Sequence, residues 1–351
     1  MDGDGFALAA RPGTQIRAIR PRNRLMLQPP AHLVEALLRP AAPLIVGHVR
    51  PDGDCLGAIH ALGAAWQAAR PARPAIYYKP EQISQRLAFL CGIEPTLLLR
   101  NADIVPDTVV VLDTAYAERA AAPRPVGEYA ASGIPLVNID HHVANTGYGQ
   151  INWIVPEASS TCELVFALVR ALDWPIAPGT ASLLYAGLHT DTHGFSLPNT
   201  TTASLRIAAD LIEAGADVAE LGERLWRSQS PGEFNLTRLI YANTRVSPDG
   251  RIAHSTARYD EILAAGCTPA DIDEQVSIPR SWRGIRMAIL FSETRPGRVR
   301  INFRGEGGTS VLPLARAFGG GGHQLAAGAV VDGPMDQVVE EVLRQARAFL
   351  Q

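Results

Sequence analysis

Residues 138–145, Asn-Ile-Asp-His-His-Val-Ala-Asn, decide the fold and the site that this sequence predicts. The apolar run Ile134–Ile139 leads directly into them and stops at Asp140, His141 and His142. A run that stops abruptly at a carboxylate and two imidazoles is typical of a buried strand that opens into a site. On its own, however, the triplet fits a polar strand-to-loop turn just as well.

Three other acidic clusters lie in the same kind of position. His48, Asp52 and Asp54 come at the end of a short apolar run and just before a helix-like stretch, and Asp113 ends a run of valines and a leucine. Asp191 lies near the end of an apolar helical stretch, where a carboxylate is unusual unless it has a functional role. Because ligands of parallel sheets bind outside the carboxyl ends of the strands, we expect these groups to meet at one edge.

Carboxylates gathered at one edge favour a metal site. They would repel one another and raise one another's pKa unless cations neutralised them. Carboxylates with imidazoles suit hard or borderline divalent ions such as Mn²⁺ or Mg²⁺. The number of ligands exceeds what one ion needs, so the pattern predicts two ions. A single residue of this kind is more often a helix cap or a surface group, but four clusters in matching contexts favour a site.

The composition narrows the classes of function. A chain of 351 residues exceeds the usual size of one domain, so we expect two. The formal charge of −3 and the pI near 6.3 give no global basic field to hold long nucleic acid. Four cysteines without a CxxC pair suit a reducing environment, and we expect a cytoplasmic protein. No apolar run approaches the roughly 20 residues of a membrane span, so no membrane partner is expected.

The predicted fold class is α/β. Short strands alternate with helix-like stretches in the first part of the chain, which favours a parallel sheet. The pattern then becomes mostly helical, and beyond residue 245 it changes to strands, a glycine run and a closing helix. We therefore expect a disordered extension at 1–29, a parallel-sheet catalytic domain at 30–228, a helical linker at 229–245 and a smaller α/β domain at 246–351.

Five motifs carry a family resemblance. HVRPDGDCLGA (48–58), VVLDTA (110–115), NIDHHVAN (138–145) and GLHTDTHGF (187–195) resemble, in this order, the four motifs of the DHH phosphoesterases. FGGGGHQLAAG (318–328) resembles the GGGH…AAG motif of the DHH-associated C-terminal domain. The resemblance covers about residues 32–351. Its length and two-domain layout are most similar to the bacterial group of bifunctional oligoribonucleases and pAp phosphatases.

The resemblance implies two divalent metal ions, with Mn²⁺ favoured and Mg²⁺ as the alternative. It assigns one ion to His48, Asp52, Asp113 and Asp191, and the other to Asp54, Asp113, His141 and Asp191. Asp113 would bridge the two ions beside a shared attacking water, and His142 would contact the scissile phosphate or protonate the leaving oxygen. Asp140 would orient an imidazole instead of binding a metal.

The C-terminal domain would bind the substrate. Residues 280–316 contain eight arginines and two acidic residues, although a solvated charged sheet face is the alternative explanation. Arg304 follows a strand, and Gly320, Gly321 and Gly322 would let backbone N–H groups approach a phosphate closely. The resemblance implies that these residues and His323 hold the terminal phosphate or sugar of a short substrate.

The function that this resemblance implies is metal-dependent hydrolysis of short oligoribonucleotides, together with pAp. The main alternative is a phosphodiesterase of linear or cyclic dinucleotides such as pApA or c-di-AMP, because the same motifs serve both. An alternative of a different class is a non-catalytic nucleotide-binding regulator, which loss of metal ligands would indicate. A homodimer is among the states left open.

Two residues depart from the family pattern. Gly305 follows Arg304 where relatives often have a serine, and His193 stands where a small residue is common after the fourth motif's aspartates. Either could alter which nucleotide end is preferred.

Overall fold

A computed structural model describes residues 27–73, 75–78, 83–84, 86–93, 105–322 and 324–350. Residues 1–26, within the predicted extension 1–29, and His323 lie outside the described residues. The described part contains no helix that is both long and apolar enough to cross a membrane.

The chain forms two sheets with helices packed against them. The strands are β1 (Pro43–Val46), β2 (Ile76–Tyr77), β3 (Thr108–Leu112), β4 (Leu136–Asp140), β5 (Ile151–Ile154), β6 (Arg245–Val246), β7 (Ile252–Ala257), β8 (Met287–Arg295), β9 (Arg298–Gly305), β10 (Gly321–Gly322) and β11 (Ala326–Asp332). The helices are α1 (Ala31–Leu38), α2 (Gly53–Ala69), α3 (Leu90–Ile93), α4 (Val126–Ala131), α5 (Thr161–Ala171), α6 (Pro178–Asp191), α7 (Thr202–Glu213), α8 (Val218–Trp226), α9 (Pro231–Asn243), α10 (Tyr259–Ala264), α11 (Ser277–Arg280), α12 (Leu312–Ala317) and α13 (Met335–Phe349).

The N-terminal sheet is parallel throughout, with strand order β2-β1-β3-β4-β5. Its central strands are buried on both faces, which explains their continuous runs of valine, isoleucine and leucine. In β3, Val110 and Leu112 pack into the larger core, with α2, α5 and α6. Val109 and Val111 point the other way, into a smaller core with α4. The sheet is therefore covered on both sides.

The strand order places a crevice at the carboxyl ends of β1 and β3. From β1 the chain goes to β2 on one side, and then returns to β3 on the other side. In doubly wound sheets, ligands bind where the order reverses in this way. His48, Asp113 and the 140–142 triplet follow three neighbouring strands, so they meet at that crevice.

Close packing of α2 against α6 adds the last acidic groups. A Cβ atom at Gly187 would lie 2.3 Å from Cys162 Sγ and 3.0 Å from Asp54 Oδ1, so this position has no room for a side chain. The glycine lets the two helices approach, and Asp54 on α2 thereby reaches the region of Asp191 at the end of α6.

The C-terminal sheet is mixed, with strand order β10-β11-β9-β8-β7-β6. Strands β7 and β8 are parallel, and the other pairs are antiparallel. One face packs on α12 and α13, and the other packs on α9 and the segment 262–278. A parallel N-terminal sheet and a second α/β sheet confirm the predicted fold class, whereas the bounds at residues 228 and 245 stay predictions.

Two details differ from the sequence-based expectation. β1 ends at Val46, two residues before His48, which instead forms an isolated antiparallel bridge with Ala120. β5 was not predicted, because its residues Ile151–Ile154 are only partly buried at an edge and include an asparagine.

Candidate metal centre

His48 approaches the crevice from the end of β1. Its Nδ1 atom lies 2.9 Å from the carbonyl oxygen of Val49, an acceptor, so Nδ1 carries the proton. Nε2 then faces the carboxylates, 3.6 Å from Asp113 Oδ2 and 3.9 Å from Asp52 Oδ1. This tautomer presents a lone pair to a cation at that point.

Asp52 precedes α2 directly, and Asp54 belongs to its first turn. Asp52 caps the helix by accepting the backbone N–H of Cys55 at 3.0 Å, and its side chain is 57% exposed. Asp54 is buried, and its two oxygens accept the backbone N–H groups of Thr161 and Cys162 at 2.6 and 2.9 Å. The N-terminus of α5 thus holds the Asp54 carboxylate in place, as helix N-termini hold anions.

Asp113 lies at the centre of the cluster. Its backbone adopts a left-handed conformation with φ of 52°, which few non-glycine residues adopt, although aspartate tolerates it better than most. Oδ1 accepts a hydrogen bond from Thr161 Oγ1 at 3.0 Å and lies 3.7 Å from His141 Nε2. Oδ2 is buried and has no hydrogen-bond partner among the described residues.

His141 points into the cluster. Its Nδ1 atom lies 3.3 Å from the carbonyl oxygen of Ala158, and its Nε2 atom faces three carboxylates. The distances from Nε2 are 3.7 Å to Asp113 Oδ1, 3.7 Å to Asp191 Oδ2 and 3.9 Å to Asp54 Oδ2. His141 therefore connects the aspartates of β3, α2 and α6.

Asp140 supports the neighbouring histidine. The carboxylate is fully buried, and Oδ1 accepts hydrogen bonds from the backbone N–H groups of His141 and His142 and from His142 Nδ1. Oδ2 accepts from Asn145 Nδ2 at 2.6 Å. All these bonds come from within the 140–145 segment, so the structure places Asp140 behind the imidazole of His142.

Asp191 closes the cluster on the side of α6. Its side chain is 28% exposed, and Asn199 Nδ2 lies 3.2 Å from its carbonyl oxygen and 3.3 Å from its Oδ2. The same amide donates to the carbonyl oxygen of Ser159, just before α5. Asn199 therefore links the end of α6 to the segment that holds Asp54.

Three groups of the described residues have ligand atoms close enough to hold a metal ion. They are Asp54, His141 and Asp191; Asp113, His141 and His142; and His48, Cys55 and Asp113. Each group shares at least two residues with one of the two predicted ligand sets. No group joins Asp191 to His48, so the structure brings the first predicted set together only in part.

Cys55 belongs to the third group but is a poor ligand. It accepts the backbone N–H of His48 through sulfur at 3.4 Å, and burial raises the pKa of its thiol to about 11. As a thiol, Cys55 packs beside His48, and it would bind a metal only after losing its proton.

Mutual repulsion and burial determine the charges of the cluster. Burial and the carboxylates of Asp113 and Asp191 raise the pKa of Asp54, and burial with Asp52 and Asp113 raises the pKa of Asp191 to about 7. Burial also raises the pKa of Asp113, but the histidines around it outweigh this effect and keep the pKa below its usual range. Burial alone would lower the pKa of His142. The hydrogen bond to Asp140 and the charge of Asp113 outweigh burial and raise that pKa to about 9.

These observations fit a divalent cation. Oxygen and imidazole donors are the ligands of hard and borderline divalent ions. The buried Asp113 Oδ2 atom accepts no hydrogen bond from the described residues, and a cation bound between it and His48 Nε2, 3.6 Å away, would satisfy this oxygen. A cation would also neutralise the like charges that raise the pKa values of Asp54 and Asp191. The cluster is therefore a candidate metal centre.

The cluster opens into a cleft of about 440 Å³. Asp52, Asp54 and Asp191 line one side, and Arg280 and Arg304 from the C-terminal sheet region line the other. Arg280 forms an ion pair with Glu306, and Arg304 donates from Nη1 to the carbonyl oxygen of Phe303 at 3.0 Å. A cleft with carboxylates on one side and guanidinium groups on the other suits a metal-bridged anion.

The glycine run belongs to the hairpin beside β9, the strand that carries Arg304. Of the described residues, none of Gly320, Gly321 and Gly322 lines this cleft. A Cβ atom at Gly320 would lie 2.1 Å from the carbonyl oxygen of Gly328, and one at Gly322 would lie 2.6 Å from that of Ala326. Crowding between β10 and β11 is therefore enough to explain two of the glycines.

The groups that hold the carboxylates in place are not indicated by the sequence motifs. Thr161, Cys162 and Asn199 bind the oxygens of Asp54, Asp113 and Asp191 but belong to none of the five motifs. One signal was present: Ser160 stands three residues before Glu163, and the structure shows Ser160 capping α5. Such a pattern identifies a helix start but not what the helix N-terminus binds.

Comparisons with known proteins agree with this geometry. Residues 43–188 match the DHH family N-terminal domain, and residues 251–351 match the DHHA1 domain. Two relatives are each named bifunctional oligoribonuclease and PAP phosphatase NrnA. The one from Bacillus subtilis is 30% identical, with 81% of this chain and 87% of the relative covered. The one from Thermus thermophilus is also 30% identical, with 91% and 93% covered.

A solved structure agrees as well. The exopolyphosphatase-related protein from Bacteroides fragilis superposes with a TM-score of 0.78 at 25% identity, covering 90% of this chain and 94% of that one. Both halves of the sequence and the whole fold thus indicate the same family, and this chain belongs to the DHH family of phosphoesterases.

Proposed function

We propose that this protein hydrolyses phosphoester bonds of short oligoribonucleotides and of pAp, with two divalent ions, Mn²⁺ or alternatively Mg²⁺. The names of the two relatives at 30% identity support this substrate class. The observation that carries the proposal is the position of Asp113, whose two oxygens face His48 on one side and His141 on the other. A carboxylate between two imidazoles suits a ligand shared by two ions.

The ligands divide into two sets around Asp113. In our proposal His48 and Asp52 hold one ion with Asp113, and Asp54, His141 and Asp191 hold the other with the same carboxylate. His48 and His141 each direct Nε2 inward because a backbone carbonyl faces Nδ1. When bound, the ions supply an activated water and neutralise charge on the phosphoryl oxygens.

His142 is the proposed proton donor to the leaving oxygen or hydrogen-bond donor to the phosphate. Asp140 holds its Nδ1 proton, so the ring presents Nε2 away from that carboxylate. This division of labour separates the two histidines of the triplet. His141 binds metal, and His142 handles a proton.

The opposite side of the cleft would bind the rest of the substrate. In our proposal Arg304 binds a phosphate across from Asp191, and the presence of both residues in the lining of the same cleft supports this role. Its planar guanidinium suits two-point binding of a phosphate. The role of Gly320, Gly321, Gly322 and His323 in holding the terminal phosphate or sugar stays a prediction from the family resemblance. We also propose that the protein acts in the cytoplasm, consistent with its four cysteines, which form no CxxC pair.

The test is Mn²⁺-dependent hydrolysis measured in parallel on pAp, a 3-mer RNA, a 24-mer RNA, pApA and c-di-AMP. We expect the 3-mer and pAp to be hydrolysed fastest, and chelation to stop the reaction. Preference for pApA or c-di-AMP would replace the proposal with turnover of dinucleotide signals by the same site. No hydrolysis of any of the five in the presence of Mn²⁺ would overturn the enzymatic assignment.

A further inference from the structure

A group of aromatic rings borders the metal centre inside the cleft. Trp226 and His193 both line the cleft, and their ring centroids lie 5.4 Å apart at an interplanar angle of 71°. His193 stands only two residues beyond Asp191. The proposed reaction assigns no role to either ring.

Trp226 is an exposed aromatic residue at the end of a helix whose apolar side is otherwise buried. Helix α8 buries Leu221 and Leu225, yet the indole of Trp226 at its last position is 42% exposed. The guanidinium of Arg86 lies 5.6 Å from the centroid of that ring. Packing in the core does not explain a large aromatic surface that faces a cleft.

His193 is held in place by an uncommon backbone conformation. His193, Gly194 and Phe195 have φ values of 48°, 68° and 61°, so three consecutive residues are left-handed. Two of them are not glycine, and such positions cost free energy unless the surroundings impose them. Here the N–H of Gly194 donates to the carbonyl oxygen of His189 at 2.8 Å, and that of Phe195 donates to Thr192 Oγ1 at 3.1 Å.

A second layer of rings fixes this pair from behind. His189 contacts Trp226 at 5.9 Å between centroids and Phe195 at 5.6 Å, and it stacks on Tyr185 at 5.6 Å. The rings are therefore preorganised before any ligand enters.

We propose that Trp226 and His193 form the nucleobase-binding wall of the cleft, on which the base of the nucleotide at the metal centre stacks. The inference rests on the proposed function, since it assumes that the phosphate of a nucleotide lies at Asp191. Every nucleobase has a flat π-face, so an aromatic wall binds bases with little regard to sequence. Stacking of this kind changes affinity by about 5- to 150-fold per base.

Ligand binding tests the wall without turnover. The affinities of AMP and of ribose 5-phosphate, which lacks the base, are measured by calorimetry with MnCl₂ present. Wild type should bind AMP at least about 5-fold more tightly than ribose 5-phosphate. In Trp226→Ala the ratio of the two affinities should fall towards one, and in Trp226→Phe most of the ratio should remain.

Matched variants separate the wall from folding effects. Trp282 is 55% exposed and does not belong to the described lining of the cleft, so Trp282→Ala should keep the wild-type ratio. His193→Gly relieves the left-handed backbone and should fold even if Trp226→Ala does not. It should lower the ratio as well, because it removes the second ring.

The outcomes distinguish this inference from the proposed function. Equal wild-type affinities for AMP and ribose 5-phosphate, or a ratio unchanged in both Trp226→Ala and His193→Gly, would overturn the wall while leaving hydrolysis of short RNA intact. A base-dependent ratio that needs Trp226, in a protein that hydrolyses none of the five test substrates, would support the wall and overturn the enzymatic proposal instead.

Discussion

Asp140 Oδ1 lies 2.7 Å from His142 Nδ1, whereas His141, which stands between these two residues, turns its Nδ1 atom to the carbonyl oxygen of Ala158. The two adjacent imidazoles are therefore oriented by different partners, which suits the different roles proposed for them. A carboxylate on one ring favours an imidazole that carries and gives protons, and a carbonyl on the other leaves a neutral ring for a metal.

The contact between Asp140 and His142 predicts the effect of Asp140→Asn. The amide nitrogen of the new side chain would face either His142 Nδ1 or Asn145 Nδ2, both of which are donors. We expect kcat to fall about 10- to 100-fold, as for partners that orient active-site imidazoles. Steady-state kinetics on the 3-mer RNA measures this. The affinity for Mn²⁺, from a metal titration, should stay near wild type; a large loss would make Asp140 a ligand.

Asp113→Asn should nearly abolish turnover. Asparagine tolerates the left-handed backbone of this position, so the variant removes charge without adding strain. We expect kcat to fall by more than about 100-fold, because the change affects a shared ligand and not merely a residue behind one. Asp173 has a similar φ of 54° and is exposed, so Asp173→Asn is the matched control. Near-normal activity of Asp113→Asn would contradict the shared-ligand assignment.

Metal binding should stabilise the N-terminal sheet and its helices. Protein at a metal concentration about 100 times the Kd gains about 2.7 kcal/mol, which corresponds to a rise in Tm of about 5 to 10 °C. Differential scanning calorimetry with and without Mn²⁺ measures the rise. It should disappear in Asp113→Asn and persist in Asp336→Asn, whose side chain is 84% exposed. An equal rise in both variants would mean that the ion binds elsewhere.

Arg304→Ala should raise the KM of short RNA and spare a small phosphodiester such as bis(p-nitrophenyl) phosphate. Hydrogen bonds to charged groups contribute about 1.5 to 3 kcal/mol, so the rise in KM should be about 10- to 100-fold. Arg316, an exposed arginine outside the described lining of the cleft, provides the control variant Arg316→Ala. If both substrates lose equally, Arg304 does not recognise the substrate.

Gly305→Ser should destabilise the C-terminal sheet. A Cβ atom at this position would lie 1.9 Å from the carbonyl oxygen of Thr309, a backbone atom that cannot move alone. Overpacking of this kind costs about 1 to 3 kcal/mol. Urea denaturation followed by circular dichroism measures the loss, with Gly297→Asn as a control, since that glycine has no neighbour to clash with. Unchanged stability would show that the 305–309 turn rearranges freely.

The sequence predicted the groups at strand ends better than it predicted how they meet. Asp113 and the 140–142 triplet follow apolar runs, and strands of that kind are recognisable from local pattern. The approach of Asp54 to Asp191 depends instead on the contact of α2 with α6 at Gly187, which no local pattern reveals. The anchoring of Asp54 by α5 is hidden for the same reason. Asp54 is separated in the sequence from Thr161 by 107 positions and from Cys162 by 108.

The glycine run shows why a motif alone is ambiguous. A phosphate cradle and a crowded hairpin both require residues without a side chain. In this structure the carbonyl oxygens of Gly328 and Ala326 occupy the space that side chains of Gly320 and Gly322 would need. The sequence pattern therefore predicted the absence of side chains and could not identify what fills their place.

The cleft of about 440 Å³ has a kinetic consequence for the proposed reaction. Its volume lies in the range of small-molecule sites, roughly 300 to 1,000 Å³, so under the proposed function it would hold one end of a short RNA chain. For a fixed mass of RNA, the effective substrate concentration is then the concentration of RNA chain ends that can enter the cleft. Fragmentation upstream would raise the rate of this enzyme without changing the total nucleotide concentration, so the protein would respond to how finely RNA has been cut.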